Sequence, residues 1–122
     1  MSSYTMARDT VGAVMRETGM FETVYIKYLG KDTDELKGLV VGIELAQYRF
    51  KNHWPQTSTA KKQKIYFEAP AIRDAKAVFS AGKTLGEAMN VSRHLVNLPG
   101  NALNPATYAQ FAKELFKDAK IK

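Results

Sequence analysis

Cysteine is absent from the 122 residues. That excludes a disulfide framework, thiolate metal sites and cysteine nucleophiles. Histidine is almost as scarce. His53 and His94 are the only two, and neither has a second histidine at metal-ligand spacing. No apolar run is long enough to cross a bilayer, and the opening MSSYTMARDTVGAVMRETG lacks the apolar core of a secretory signal. These absences fit the cytoplasm and a chain without a membrane partner. No internal repeat or low-complexity tract interrupts it. At this length the chain can build one modest core, or the edge of one domain and the start of another.

The charge is lopsided. The formal net charge is +6 and the isoelectric point is near 9.6. A nucleic-acid partner is one interpretation. Patterning favours a solvated surface, because the lysines are dispersed. The exceptions are Lys61-Lys62-Gln63-Lys64 and the set Lys113, Lys117, Lys120 and Lys122, whose spacing places them near one wet helical face.

Periodicity predicts an α/β arrangement. A helix is expected over about Tyr4–Thr18, with Ala7, Val11, Val14 and Met15 on one side. Gly19 would end it as a left-handed residue. Thr23–Tyr28 reads as a strand with Val24, Ile26 and Tyr28 on one face. A second helix starts near Thr33, where Asp32 and Glu35 have capping-box spacing, and carries Leu36, Leu39, Val40, Ile43, Gln47 and Phe50. His53–Ala60 is a polar loop in which Trp54-Pro55 is a packing anchor. Ile65–Ala69 is a second strand, ended by Pro70. A crossover of this length favours a parallel βαβ unit. A long helix follows from about Ala71 to Val96, on the repeat Ala75, Val78, Gly82, Leu85, Met89 and Val96, widened by Phe79 and Gly86. Pro99 stops it. Asn104 caps a last helix with Pro105 at its first position, carrying Tyr108, Phe111, Ala112, Leu115 and Phe116. Ile121 would begin a further strand.

Motifs with chemical meaning each meet a plainer explanation. Ala81-Gly82-Lys83-Thr84 resembles the end of a phosphate-binding loop, but Ala77 stands where that motif needs glycine and the segment lies in a helical period. Asn90-Val91-Ser92 matches a glycosylation sequon on a helix. Gly38…Gly42 and Gly82…Gly86 are small-residue pairs whose cost, roughly 1 kcal/mol per glycine in a helix, is offset by close approach of backbones. Asp32, Asp34 and Glu35 favour a helix dipole. Glu44, Glu68, Asp74, Glu87, Glu114 and Asp118 are scattered. No two-metal cage, no serine–histidine–acid set and therefore no catalytic, cofactor-binding or metal-ligating residue is assigned.

Three segments share a likeness. Gly38-Leu-Val-Val-Gly-Ile-Glu-Leu-Ala-Gln-Tyr-Arg-Phe50 is one. Gly86-Glu-Ala-Met-Asn-Val-Ser-Arg-His-Leu-Val-Asn-Leu-Pro-Gly-Asn101 is the second, and Asn104-Pro105 with its helix the third. Together they resemble the leucyl (cytosol) aminopeptidases around the entry to their catalytic domain. The resemblance implies the C-terminal part of an N-terminal α/β domain over 1–70, a connecting helix over 71–97, and the start of a truncated catalytic domain over 98–122. For the complete protein it implies peptide substrates and two divalent metals (zinc, manganese or magnesium). These metals polarise the scissile carbonyl and supply hydroxide. It further implies a homo-oligomer, a hexamer in the family, and DNA binding in some bacterial members. The family's Asp-Ser-Gly-Gly and Asn-Thr-Asp-Ala-Glu-Gly-Arg motifs have no counterpart before Lys122. Asn97, Pro99, Asn101 and Pro105 match the motif but serve turn and helix-start geometry. The expectation is a fragment, inactive alone. The alternative is a small basic module that binds nucleic acid or pairs with full-length subunits.

Overall fold

The computed structural model describes residues 2–50 and 63–117. His53, Trp54, Pro55, the Lys61-Lys62 pair, Asp118, Lys120, Ile121 and Lys122 lie outside the described residues. Helix α1 spans Ser3–Glu17, a short 3-10 turn Thr18–Met20, strand β1 Thr23–Lys27, helix α2 Thr33–Gln47, strand β2 Lys64–Glu68, helix α3 Ala75–Asn97 and helix α4 Pro105–Leu115. β1 and β2 pair in parallel, with Tyr25 opposite Tyr66. The expected βαβ unit is therefore present, with α2 as its crossover helix.

Alternation decides which sheet face is covered. Val24 and Ile26 of β1, with Ile65 and Phe67 of β2, pack towards α2. Tyr25 and Tyr66 point the other way. They stack with centroids 4.9 Å apart and stay 78% and 52% exposed. Among the described residues, helices thus cover one face of this parallel pair. Parallel sheets are usually covered on both.

α2 is the centre of the fold because its neighbours reach it through glycines. A side chain at Gly38 would run into the Tyr4 carbonyl oxygen, and one at Gly42 into that of Arg8, so α1 lies directly on α2. On the opposite flank, a Cβ at Gly82 would sit 2.9 Å from the Val40 Cβ, and one at Gly86 2.6 Å from the Glu44 Cβ. Both small-residue pairs are helix-packing devices. Between these contacts Leu36 and Val41 are fully buried, and burying each contributes about 1.5–3 kcal/mol. Tyr28, Leu36, Ala69 and Ile72 form one core cluster. Val11, Met15 and Ile43 form a second.

Several expectations are corrected. Val14 is 51% exposed, because only Ala7, Val11 and Met15 fall under α2. Gly19 takes no left-handed conformation, since no described glycine has positive φ; α1 instead tightens into the 3-10 turn, which Phe21 closes by donating its N–H to the Thr18 carbonyl. α3 begins at Ala75, four residues late. The Ile72 N–H is held in a turn by the Ala69 carbonyl, and Ile72 is spent on the core. Leu85 and Val96 are exposed, Val96 at 83%. Val96 is exposed because α3 is longer than the helix it packs on; at Leu85 it is Gly82 and Gly86 on either side that take the α2 contact.

Candidate functional site

The three segments that carry the family likeness meet where α2 ends, and the meeting is built from helix-end chemistry. The last carbonyls of a helix have no intrahelical donor. α2 also has no basic residue in its last turn. Side chains supply the donors. Asn90 of α3 donates its Nδ2 to the Glu44 carbonyl at 3.0 Å, and Arg93 donates to the Leu45 carbonyl at 3.2 Å. Arg49 turns back to donate to the Ala46 carbonyl at 2.8 Å and to that of Tyr48 at 3.0 Å. The cationic guanidinium groups also suit the negative end of the α2 dipole. The Arg93 guanidinium lies 5.2 Å from the centre of the Tyr48 ring, a cation–π geometry.

His94 sits one residue on. Its ring is 5.6 Å from that of Phe50 and 6.5 Å from that of Phe111, so it fills an aromatic sandwich between the end of α2 and α4. The expected turn follows: Ala102 and Leu103 both donate to the Pro99 carbonyl, at 2.9 Å and 3.0 Å. Asn104 accepts from the amides of Ala106 and Thr107 while its own N–H donates to the Thr107 hydroxyl, a full capping box. Pro105 occupies the first position of α4 as expected. Tyr108, Leu115 and Phe116 remain about half exposed.

A second polar cluster opens α2. Asp32 accepts from the amides of Asp34 and Glu35. The Ser3 hydrogen bond, followed by these amides, holds its carboxyl below the usual range. Glu35 does not return the bond as a capping box would. Its carboxylate instead accepts the phenolic proton of Tyr28 at 2.5 Å. Burial, then the Glu35 contact, push the Tyr28 hydroxyl up to about 12.

Neither cluster has the groups of a hydrolase. Among the described residues no three His, Asp or Glu side chains converge as a metal site. Of the carboxylates at the start of α2, Asp32 caps the helix and Glu35 accepts from Tyr28. The described residues of these two clusters do not fit a divalent cation. Lys83 and Thr84 lie inside α3: Lys83 faces Glu87 at 3.9 Å and the Thr84 hydroxyl donates to the Ser80 carbonyl, so the phosphate-loop likeness has no loop. The sequon residue Asn90 is committed to α2. Sequence reasoning missed Asn90, Arg93 and Arg49 as a set; the signal available was a helix ending without a basic last turn.

A shallow groove of about 380 Å³ lies between α2, α3 and β2, floored by Val40, Ile43, Ile65, Phe67 and Phe79.

No family model matches the chain. Similar proteins are nonetheless found. The chain is 35% identical over 85 residues to the probable cytosol aminopeptidase of Aquifex aeolicus (strain VF5), covering 67% of this chain and 16% of that protein. It is 32% identical over 83 residues to the one of Sinorhizobium medicae (strain WSM419), covering 63% and 17%. With the one of Rhizobium etli (strain ATCC 51251 / DSM 11541 / JCM 21823 / NBRC 15573 / CFN 42) it shares 30% over 99 residues, covering 75% and 20%. It therefore spans about one fifth or less of the length of these relatives. The fold resembles the bottromycin maturation enzyme BotP, with a TM-score of 0.80 at 21% identity over 98% of this chain and 26% of that one. Against BotP in complex with Mn the TM-score is 0.78 at 20% identity, over 95% and 25%. Over the span that it covers, the chain belongs to the leucyl (cytosol) aminopeptidase family.

Proposed function

We propose that this chain is the hinge segment of a cytoplasmic, metal-dependent leucyl aminopeptidase. It would carry the end of an N-terminal domain over 1–70, the connecting helix over 71–97 and the entry to the catalytic domain from 98. The whole protein would release N-terminal amino acids from peptides with two divalent metals and would assemble as a homo-oligomer. This chain supplies the scaffold and is inactive alone. The observation that supports the reading is the junction at the end of α2, where the family-like segments interlock through Asn90, Arg93 and His94. A chimera tests it. The matched span of the Aquifex aeolicus protein, replaced by the corresponding residues of this chain, retains peptidase activity if the reading holds. A soluble, folded chimera without activity contradicts it.

A second reading, a basic module for single-stranded nucleic acid, draws on a different observation. The stacked Tyr25 and Tyr66 share the uncovered sheet face with Lys27 and Lys64. Exposed aromatic rings stack bases, and flanking cations meet phosphate. Binding of a labelled single-stranded RNA that weakens with salt, and is lost in Tyr25→Ala/Tyr66→Ala, supports it. No binding at low salt removes it.

A further inference from the structure

One face of the sheet lacks the cover that a parallel sheet normally has. Among the described residues the helices pack on the other side. The uncovered face is an array of two short rows. β1 contributes Thr23, Tyr25 and Lys27, and β2 contributes Lys64, Tyr66 and Glu68, all exposed. The register sets Thr23 beside Lys64, Tyr25 beside Tyr66 and Lys27 beside Glu68. The array is therefore aromatic in the middle and polar at both ends. Phe21 and Leu29, two residues before and after the β1 row, are exposed as well.

The charges decide what fits this face. Glu68 shares it with Lys27 and Lys64, so a polyanion would meet a repelling carboxylate there. A second copy of the array would not. Homodimers are commonly related by a two-fold axis, so their shared patch must complement itself. Two such axes can lie in the plane between two facing sheets. An axis along the strands sets β1 over β2 of the second copy. Lys27 then faces the second copy's Glu68, Glu68 faces its Lys27, and the Lys64 ammonium faces the Thr23 hydroxyl. An axis across the strands sets each strand over its own equivalent, run in reverse. Lys64 then faces Glu68 of the second copy and Thr23 faces its Lys27. About either axis the tyrosines meet tyrosines, and no like charges oppose. The described helices of both copies stay on the outside, and two sheets can close to the usual spacing of about 10 Å. Tyrosine suits such a place, with an apolar ring to bury and a hydroxyl that finds a partner.

We propose that this face pairs with the same face of a second copy, giving two facing two-stranded sheets with helices outside. The inference goes beyond the aminopeptidase reading and rests only on the face and its charges. The patch is small beside the roughly 20–30 residues a side of a standard interface, so the dimer is weak.

Sedimentation equilibrium of the 122-residue protein tests it. Salt is held at about 0.15 M, which screens the repulsion between two basic copies beyond about 8 Å. The mass should rise from 13.6 kDa towards twice that value between about 1 µM and 1 mM protein. Tyr25→Thr with Tyr66→Thr keeps strand-forming residues at exposed positions. It should weaken association by about tenfold or more, equivalent to about 1.4 kcal/mol. Glu68→Lys should also weaken it, because it sets lysine against lysine about either axis. Adding Lys27→Glu to that variant restores the dimer if the axis runs along the strands, and adding Lys64→Glu restores it if the axis runs across them. Circular dichroism of each variant checks that it is folded. A mass of 13.6 kDa at every concentration overturns the proposal. Association that ignores the paired tyrosine change belongs to another surface and overturns it too. So does Glu68→Lys that neither second change rescues. A protein that stays monomeric but binds single-stranded RNA through Tyr25 and Tyr66 gives the face to nucleic acid instead. Peptidase activity enters none of these readouts, so they stand apart from the chimera result.

Discussion

Tyr28 and Glu35 are joined by a 2.5 Å hydrogen bond from the phenol to the carboxylate, fastening the end of β1 to the first turn of α2. Tyr28 is one of the buried residues of the core, so its hydroxyl has exchanged water for this partner. Tyr28→Phe should lower stability by about 1.5–3 kcal/mol, the range for a hydrogen bond to a charged group. The urea midpoint measures it. The bond also sets an alkaline limit. The hydroxyl titrates near 10.0 in an unfolded chain and at about 12 here. A raised pKa means that the unfolded state gives up its proton first as pH rises. The stabilisation is complete below pH 10 and is lost as pH rises towards about 12. The Phe variant should lose this part of its pH dependence.

The glycines of α1 and α2 make opposite predictions. Gly38→Ala and Gly42→Ala push a methyl group into backbone carbonyls of α1. Backbone cannot rotate aside as a side chain can, so overpacking by about 1–3 kcal/mol should outweigh the gain in helix propensity. At Gly12 an added methyl group would meet only the Gly42 carbonyl oxygen, at 3.9 Å, an ordinary contact. Gly12→Ala should therefore stabilise by up to about 1 kcal/mol. Thermal melts of the three variants check the contrast.

Arg93→Ala leaves the Leu45 carbonyl without its side-chain donor and removes the cation from the Tyr48 ring. The expected cost is about 1 kcal/mol. Lysine should not restore it fully, because a guanidinium stacks flat while donating and an ammonium does not. A double-mutant cycle with Tyr48→Leu isolates the ring contribution.

Asn104→Ala removes both bonds to the first turn of α4, worth about 0.5–2 kcal/mol to a helix. α4 meets the rest of the described fold through the His94–Phe111 contact, so the loss should stay local. Amide exchange should quicken within α4 while α2 remains protected.

Element types were legible because their periods differ. The strand alternation of Val24 and Ile26 and the helical spacing of Leu36, Val40 and Ile43 place the core correctly. The Asn104-Pro105 start was legible because its chemistry is local. Features depending on a distant neighbour were not. Val14 fits its stripe but turns away from α2 between the buried Val11 and Met15, and Val96 lies past the end of α2. Glu35 has capping-box spacing, yet a tyrosine seven residues earlier in the chain offers its carboxylate a buried donor. Asn90 and Arg93 look like surface polar residues until α2 ends beside them.

The central proposal is that this chain holds family scaffold without family chemistry. The most direct measurement is the turnover of leucine p-nitroanilide by the pure 122-residue protein, with zinc, manganese or magnesium supplied in turn. The account predicts no turnover above the metal-only blank. Metal-dependent, saturable hydrolysis that co-purifies with the chain would contradict it.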